Sequence, residues 1–469
     1  MTKPARNIKD LPVKPDPQTL DRLGSLAYRN GDFKRALECF GALVETGRHN
    51  RDHAIRLAHL LKNVTFKTFS SRWKDTILKT LRTSGLNYQD LSRSWASLFN
   101  SDPDFSVLHD LAAGREAHRG ALKKALNDPF LIEGLEKLVI CDMKFENMLT
   151  ALSQRTEFET HPKIKKAFRM YSARTENIFL DSPLRQAPPP EAEIIPSLGA
   201  SENKVSQNVR NHYEEHPYPR WTFIHCQTPS KEQAKFYHRR LIAGCGTGFG
   251  ACSAALRYPN AQITAFDISR ASLTYACHKA NELGLKNIKF LQADILNLEK
   301  LEEDFDIIEC TGVLHHMENP QKGLSALCAN LKPGGKILIG LYSEAGRRDI
   351  SAARKLIAED SLKPAHADIK KAREMIATLP ENHPAKKVST RHDFYSLSNC
   401  RDLLFHAHEI NFTVKELEKL VRNAGLSLLR FEHPNLPIKS FKDASETEAK
   451  DPDTFRAMYI FWCVKPEQS

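Results

Sequence analysis

The sequence predicts an α/β protein preceded by an all-helical region. From about residue 236 onward, short apolar runs alternate with amphipathic segments, which is the pattern of a mainly parallel sheet flanked by helices. Between about residues 17 and 180, apolar residues instead recur every three or four positions and proline is sparse, which indicates helices alone. With 469 residues, the chain is long enough for two or three domains.

The helical N-terminal domain is predicted to span residues 1–180. Its segment LGSLAYRNGDFKRALECFGAL resembles one tetratricopeptide repeat, in which small residues let two antiparallel helices approach closely. A shift by 34 residues, the length of such a repeat, leads to Leu57 and Ala58, but the pattern then fails at Ser70 and Lys74. We therefore expect one repeat and a degenerate second, with an unrelated helical hairpin as the alternative.

A linker and an α/β domain are predicted to follow. Residues 181–204 contain three consecutive prolines and no periodicity, which favours an extended linker. In the α/β domain, residues 205–469, seven apolar runs predict seven strands, and the last two can pair antiparallel. Polar helical sequence over 344–410 interrupts the alternation as an insertion. Thr413 and Glu416 then predict a capping box at the start of the next helix.

Composition and charge restrict the location and the partners. No apolar run reaches the roughly 20 residues that a membrane span needs, and the N-terminus has no apolar signal segment, so we expect a cytoplasmic protein. The net charge of +11 is spread thinly, and its only local run is at 161–170, so nucleic-acid binding is disfavoured. No metal site is expected: the ten cysteines form no C-x-x-C pair, and HAHE (406–409) lacks partners at metal spacing.

A glycine-rich turn, LIAGCGTGFG at 241–250, follows the first predicted strand. Gly244, Gly246 and Gly248 suit a strand-to-helix turn whose backbone approaches a nucleotide-like ligand at the helix N-terminus. Gly246 and Gly248 with Ala251 also match a dinucleotide-binding pattern. The glycines alone therefore leave the ligand open.

The residues after this turn carry a family resemblance. The second strand ends on Asp267, the third leads to Asp294 in FLQADIL, and TGVLHHM and LKPGGKILIG follow. In this combination, residues 236–342 resemble class I S-adenosylmethionine-dependent methyltransferases, and most closely the branch that contains the quinone-type enzymes. With the helical N-terminus and the PYPRW segment, most of the chain resembles bacterial tetratricopeptide-containing methyltransferases. The resemblance implies a Rossmann-like sheet of strand order 3-2-1-4-5-7-6.

S-adenosylmethionine is the cofactor that this resemblance implies. Its methionine and ribose side would be lined by the glycine turn and by the end of the fourth strand: Gly244, Cys245, Gly246, Gly248, Thr311 and Gly312. The family often has an acid two residues before the first glycine, where this chain has Ile242, so the methionine end is expected to be held differently. Glu309, inside the fourth strand, is expected to be structural.

The adenosine side would be bound by four further residues. The resemblance implies that Asp267 binds the ribose diol, that Ile268 and Ile295 sandwich the adenine, and that Asp294 accepts from its amine. Two alternatives stay open from the residues alone: Asp267 as a cap of the following helix, and Asp294 as a turn residue.

The catalytic residues are less well determined by the sequence. Methyl transfer needs a deprotonated nucleophile in line with the methyl group, so His315 and His316 are candidate general bases. The same pair also occurs in this branch without a catalytic role. In NHYEEHPYPRWTF (211–223), we expect Tyr213 and Arg220 to close over the cofactor, with the Tyr213 hydroxyl or Arg220 meeting the methionine carboxylate. The alternative is a strap that packs aromatic rings on the sheet edge.

These observations predict an S-adenosylmethionine-dependent methyltransferase. A protein acceptor is favoured, because helical-repeat modules usually bind peptides. A small-molecule acceptor of the quinone type is the alternative within the same class. A non-catalytic scaffold that binds the cofactor and a nicotinamide-dependent oxidoreductase are the alternatives from other classes.

Overall fold

The computed structural model of the chain describes residues 16–155, 161–176, 178, 195–199, 203–221, 224, 232, 238–433, 436–456 and 458–467. The chain divides into two compact units. The first comprises Met1–Arg185 together with Ser389–Leu397, a short segment from within the predicted insertion. The second comprises Gln186–Val388 and Ser398–Ser469.

All regular secondary structure that the structure describes in the first unit is helical, as predicted. Its α-helices are α1 (Pro17–Arg29), α2 (Phe33–Glu45), α3 (Arg51–Leu61), α4 (Ser71–Arg82), α5 (Ser92–Ser101), α6 (Ser106–Ala112), α7 (Arg119–Leu126), α8 (Pro129–Lys137), α9 (Met143–Ser153) and α10 (Pro162–Thr175). Side chains cap several of these helices, and Asp16, for example, accepts from the backbone N–H groups of Gln18 and Thr19.

Helices α1 and α2 pack closely, as the small residues of the repeat-like segment predict. A Cβ atom on Gly24 would lie 3.0 Å from the Cβ of Cys39 and 3.1 Å from the ring of Phe40. A side chain at position 24 would therefore push the two helices apart. Further along the unit, Trp95 stacks between Phe99 and Phe130 at ring distances of 5.1 and 5.0 Å and anchors the core.

The second unit contains one seven-stranded sheet, which confirms the predicted fold class. Its strands are β1 (Arg239–Ala243), β2 (Gln262–Asp267), β3 (Ile288–Gln292), β4 (Phe305–Thr311), β5 (Leu331–Leu341), β6 (Ser427–Phe431) and β7 (Tyr459–Val464). Their order is 3-2-1-4-5-7-6. The first five strands are parallel, and β7 pairs antiparallel with both β5 and β6.

Helices, including most of the predicted insertion, complete this unit. Its α-helices are α11 (Lys204–Glu215), α12 (Phe249–Arg257), α13 (Arg270–Glu282), α14 (Pro320–Ala329), α15 (Arg348–Glu359), α16 (His366–Thr378), α17 (Leu397–Phe405), α18 (Val414–Asn423) and α19 (Phe441–Lys450). The predicted capping box is present: Thr413 and Glu416 each accept from the other's backbone N–H at the start of α18.

Part of the predicted linker differs from a loosely packed strip. Leu198 donates its backbone N–H to Gln292, and Gln292 donates to Pro196, so residues 195–199 run along β3. The reason is that β3 is an edge strand, whose unpaired backbone groups attract a further extended segment. Ile195 is buried beside Leu273 and Cys277 of α13. No helix among the described residues is long and apolar enough to cross a membrane.

Candidate active site

A cavity of about 360 Å³ opens at the carboxyl ends of β1, β2 and β4. The strand order explains this place. The chain proceeds from β1 to one side of the sheet and later returns to its other side with β4, so the loops after β1 and β4 diverge and leave a crevice between them. Among the candidate residues, the cavity is lined by Tyr213, Gly244, Cys245, Gly246, Asp267, Ile268, Asp294, Ile295, Thr311, Gly312 and His316.

The glycine turn takes a shape that only glycine tolerates well. Gly244, Gly246 and Gly248 have φ angles of +66°, +51° and +85°, which side chains rarely adopt. A Cβ atom on Gly244 would also lie 2.4 Å from a methyl carbon of Val313. On Gly246, it would lie 2.9 Å from the backbone oxygen of Tyr218. The absence of a side chain at these two positions therefore lets neighbouring chain segments pack closely at the rim of the cavity.

Gly248 does not line the cavity. Its Cβ position would lie 2.6 Å from the Cβ of Ala276, so the residue allows α12 to pack on α13. It also serves as the N-cap of α12. Helix packing and the turn therefore each require a glycine here, and the contact of Gly248 with the cofactor stays a prediction.

Asp267 is held rigidly at the end of β2. One carboxylate oxygen accepts from the backbone N–H of Gly246 at 2.7 Å, and the other accepts from Ser269 at 2.9 Å. The following helix is capped by the Ser269 side chain and not by Asp267. Burial raises the pKa of Asp267, against the opposing effect of the hydrogen bonds from Ser269 and Gly246. Each oxygen keeps further lone pairs for ligand hydroxyls, which fits a ribose diol.

Asp294 offers a polar atom that a ligand would satisfy. Its Oδ1 accepts from the backbone N–H of Leu296 at 3.0 Å. Its Oδ2 is buried and has no hydrogen-bond partner among the described residues. Buried carboxylate oxygens are rarely left in this state, because the unpaired group keeps its desolvation cost. With Ile268 and Ile295 lining the same cavity, the site fits an adenine ring that carries an exocyclic amine.

The end of β4 supplies a carboxylate that the sequence interpretation assigned to structure. Glu309 lines the cavity and lies directly beside Ile242 in the β1–β4 register. It forms an ion pair with Arg240, which is buried on the same face of the sheet. An acid on the neighbouring strand therefore lies beside position 242, where this chain has no acid.

The backbone at the end of β4 is less available than predicted. Gly312 donates its N–H to the carbonyl of Gly340 at 3.1 Å. Of its two backbone groups, only the carbonyl is therefore left for a ligand near the methionine end. Thr311 is exposed at the same end of the strand and lines the cavity.

The PYPRW strap packs on the glycine turn. Trp221 donates its indole N–H to the carbonyl of Thr247 at 2.9 Å, and the Thr247 hydroxyl donates to the carbonyl of Pro219. Arg220 does not line the cavity, so its predicted contact with the methionine carboxylate is not supported. Tyr213 does line it, but its hydroxyl donates its one proton to Asp402 and has none for a carboxylate.

The two candidate histidines occupy different environments. His315 is fully buried, stacks on Tyr342 at 3.7 Å and does not line the cavity, so it cannot meet an acceptor there. His316 lines the cavity, and its Nδ1 lies 2.8 Å from the carbonyl of His408. Because a carbonyl only accepts, Nδ1 carries the proton and Nε2 carries the lone pair. Burial, with Arg354 and Arg347 nearby, lowers the pKa of His316 to about 3.

A cluster beside the cavity joins residues that the sequence keeps far apart. His406, from the HAHE run, lies with His212 and Asp402 so that one potential ligand atom of each falls within 4.8 Å of the others. The sequence alone does not reveal a partner for this run, because His212 precedes it by almost 200 residues. Within the insertion itself, Glu409 accepts from Arg347 and Arg354 at 2.9 and 2.8 Å.

This sheet order, with a glycine turn after β1 and two carboxylates after β2 and β3, defines a class I S-adenosylmethionine-dependent methyltransferase fold. Comparison with known proteins agrees: residues 240–425 match the family model of a methyltransferase domain. The chain therefore carries a class I methyltransferase domain, and S-adenosylmethionine is its cofactor.

Three similar proteins place this domain in context. An uncharacterised protein of Synechococcus sp. is 31% identical over 261 residues, which cover 50% of this chain and 62% of that protein. The ubiquinone biosynthesis O-methyltransferase of Coxiella burnetii is 37% identical over 97 residues, or 21% of this chain and 40% of that protein. The chain thus spans less than two thirds of either relative. The solved structure of PKMT2 from Rickettsia typhi with AdoHcy has a TM-score of 0.40 and 18% identity, over 54% of this chain and 55% of that one.

Proposed function

We propose that the chain transfers a methyl group from S-adenosylmethionine to a protein acceptor. The main support for methyl transfer is the cavity itself. On its adenosine side lie Asp267, which is held rigidly, and an oxygen of Asp294 that has no hydrogen-bond partner among the described residues. Glu309 and the glycine turn lie on the methionine side, and His316 and Tyr213 also line the cavity. The methyl donor supplies the chemistry as an activated sulfonium, so the protein has to align the acceptor and receive its proton.

Each part of the cofactor has a matching group in this proposal. Asp267 accepts from the ribose hydroxyls and Asp294 from the adenine amine, while Ile268 and Ile295 cover the ring. Glu309 takes the ammonium group of the methionine moiety. The proposal assigns no contact with the cofactor to Gly248 or Arg220, because neither lines the cavity.

The first unit supports a protein acceptor. Paired helices of the repeat type present faces that bind extended or helical peptides. On α1 and α2, Leu26 and Phe33 are 51% and 52% exposed and would offer apolar contacts. The exposed face of α10 carries Lys166, Arg169 and Met170, which favours an acidic peptide segment.

A small-molecule acceptor is the second candidate. Its support is the similarity of 97 residues to an enzyme named for ubiquinone biosynthesis. A phenolic hydroxyl of a quinone precursor would need the same alignment and the same proton acceptor as a protein side chain.

Label transfer separates these candidates. The full chain is incubated with tritiated methyl donor and a lysate of the source organism, which is then divided into protein, RNA and organic-extract fractions. We expect label in a protein band. Label in the organic extract would favour the small-molecule acceptor. Label in RNA would contradict the expectation that the chain does not act on nucleic acid. A chain that binds S-adenosylhomocysteine but labels no fraction would be a scaffold.

A matched pair of variants tests the role of the first unit. Reversal of charge at Lys166 and Arg169 should lower label transfer to the protein band and leave the affinity for S-adenosylhomocysteine unchanged. The same reversal at Lys123 and Lys124 of α7, two further basic residues of this unit, serves as the control. Equal loss in both variants would point to a nonspecific effect of charge.

A further inference from the structure

The hydroxyl of Tyr213 lies at the centre of a directed hydrogen-bond chain. Its oxygen is 2.9 Å from Oδ1 of Asp402 and 3.1 Å from Nε2 of His406. Tyr213 is on α11, Asp402 is on α17, and His406 follows α17 directly. Tyr213 also lines the cavity, so this chain connects the cavity with a buried carboxylate.

The peptide groups of one residue determine the direction of these bonds. The N–H of His408 donates to Nδ1 of His406 at 3.1 Å, and the carbonyl of His408 accepts from Nδ1 of His316 at 2.8 Å. Neutral His406 therefore carries its proton on Nε2 and donates it to the Tyr213 oxygen. The Tyr213 proton in turn points to Asp402. His316 stacks on His406 at 3.8 Å, so both rings are held in place.

A bound metal ion does not fit these hydrogen bonds. A cation at His212, Asp402 and His406 would need the lone pair of His406 Nε2. Because Nδ1 of His406 already accepts from a backbone N–H, ligation would turn the ring into an imidazolate. Burial lowers the pKa of His212 to about 3, and the positive charge of Arg401 contributes to the same shift. The site is therefore better suited to proton transfer than to the binding of a metal ion.

We propose that Tyr213 and Asp402 receive the proton of the methyl acceptor. This inference rests on the proposed methyl transfer. As the nucleophilic atom of the acceptor bonds to the methyl carbon, the carbon–sulfur bond breaks and its electron pair stays on sulfur. The acceptor's proton passes to the Tyr213 oxygen, and the Tyr213 proton passes to Oδ1 of Asp402, which becomes a neutral carboxylic acid. The sulfonium charge and the carboxylate charge disappear together, so the step is balanced.

The geometry gives each of the other groups a supporting role. A phenolic oxygen has two lone pairs and one proton; His406 and Asp402 engage one lone pair and the proton, which leaves one lone pair for the acceptor. Burial and Asp402 raise the pKa of Tyr213, so it stays protonated until the proton can move on to Asp402. His316, a weak base in this environment, orients the acceptor by accepting a hydrogen bond at Nε2.

Two conservative variants of the full chain test this proton transfer. Tyr213→Phe removes the hydroxyl. Asp402→Asn keeps an oxygen that accepts a hydrogen bond from Tyr213, but an amide is too weak a base to take its proton. Each should slow label transfer to the protein fraction on the order of 100-fold. Calorimetry should give an affinity for S-adenosylhomocysteine within about threefold of wild type. Tyr88→Phe, which removes a tyrosine hydrogen bond to the carbonyl of Thr83 in the helical unit, is the matched control and should retain full activity.

The outcomes discriminate between the explanations. If Asp402→Asn stays as active as wild type, Asp402 only positions Tyr213 and the proton transfer is refuted. If both variants lose affinity for S-adenosylhomocysteine more than tenfold, the cluster supports the cofactor pocket and not the acceptor. One equivalent of zinc in the dialysed wild-type protein that is lost in His212→Gln would overturn the proton network. If the wild-type chain transfers no label, the proposed function fails and takes this inference with it.

Discussion

Replacement of Asp294 by asparagine should reverse the preference of the pocket for the adenine edge. In the structure, Oδ1 of Asp294 accepts from the backbone N–H of Leu296 at 3.0 Å, so the asparagine oxygen should keep that bond. The new amide NH₂ then occupies the place of Oδ2, which is buried and has no partner among the described residues. An amide donor would face the donor amine of adenine, where a carboxylate acceptor had been.

The expected loss follows from this single contact. A hydrogen bond to a charged group contributes roughly 1.5–3 kcal/mol, so the affinity for S-adenosylhomocysteine should fall about 10- to 100-fold. Titration calorimetry with the full chain measures this. S-inosylhomocysteine, which has a carbonyl oxygen where adenine has its amine, should bind the variant better than it binds wild type. Asp306→Asn, which alters a carboxylate paired with Lys332 outside the cavity, is the control. A variant that binds S-adenosylhomocysteine within threefold of wild type would refute the assignment.

Three further results are expected. Glu309→Gln should weaken S-adenosylhomocysteine about tenfold but leave adenosine, which has no ammonium group, unchanged in calorimetry, and equal losses would indicate a packing role instead. Burial raises the pKa of Asp267, so this carboxylate should become protonated at a higher pH than an ordinary aspartate. The affinity for S-adenosylhomocysteine should therefore weaken as the pH falls, and Asp267→Asn should remove this dependence. Gly246→Ala should lower the calorimetric melting temperature of the second unit by about 2–8 °C through backbone strain and the contact with Tyr218, whereas Gly250→Ala, with no atom within 4 Å of its Cβ position, should not.

The sheet and the cofactor side of the cavity could be predicted because their signals are local. Each strand is one apolar run, and Asp267 and Asp294 stand where such runs end. Parallel strands bring those ends to one edge, so the spatial cluster follows from the chain order of the strands. Glu309 could also have been found this way, but only from the register of β4 against β1, which places it beside Ile242. That register depends on side-chain packing and has no local sequence signal.

The contacts on the acceptor side are hard to predict because they join residues that are distant in sequence. Tyr213 was expected to bind the methionine carboxylate, yet its hydroxyl donates to Asp402, which lies 189 residues further along the chain. At Gly248, the motif alone cannot distinguish a glycine needed for ligand approach from one needed for helix packing. His315 and His316 are adjacent in sequence, but only the fold shows which of the two rings lines the cavity.

Equilibrium binding of S-adenosylhomocysteine to the full chain tests the central claim most directly. Titration calorimetry should show one site per chain, weakened by Asp294→Asn and by Glu309→Gln, and an equal titration with NAD should show no binding. A folded chain that binds NAD but not S-adenosylhomocysteine would contradict the assignment of this cavity to a methyl donor.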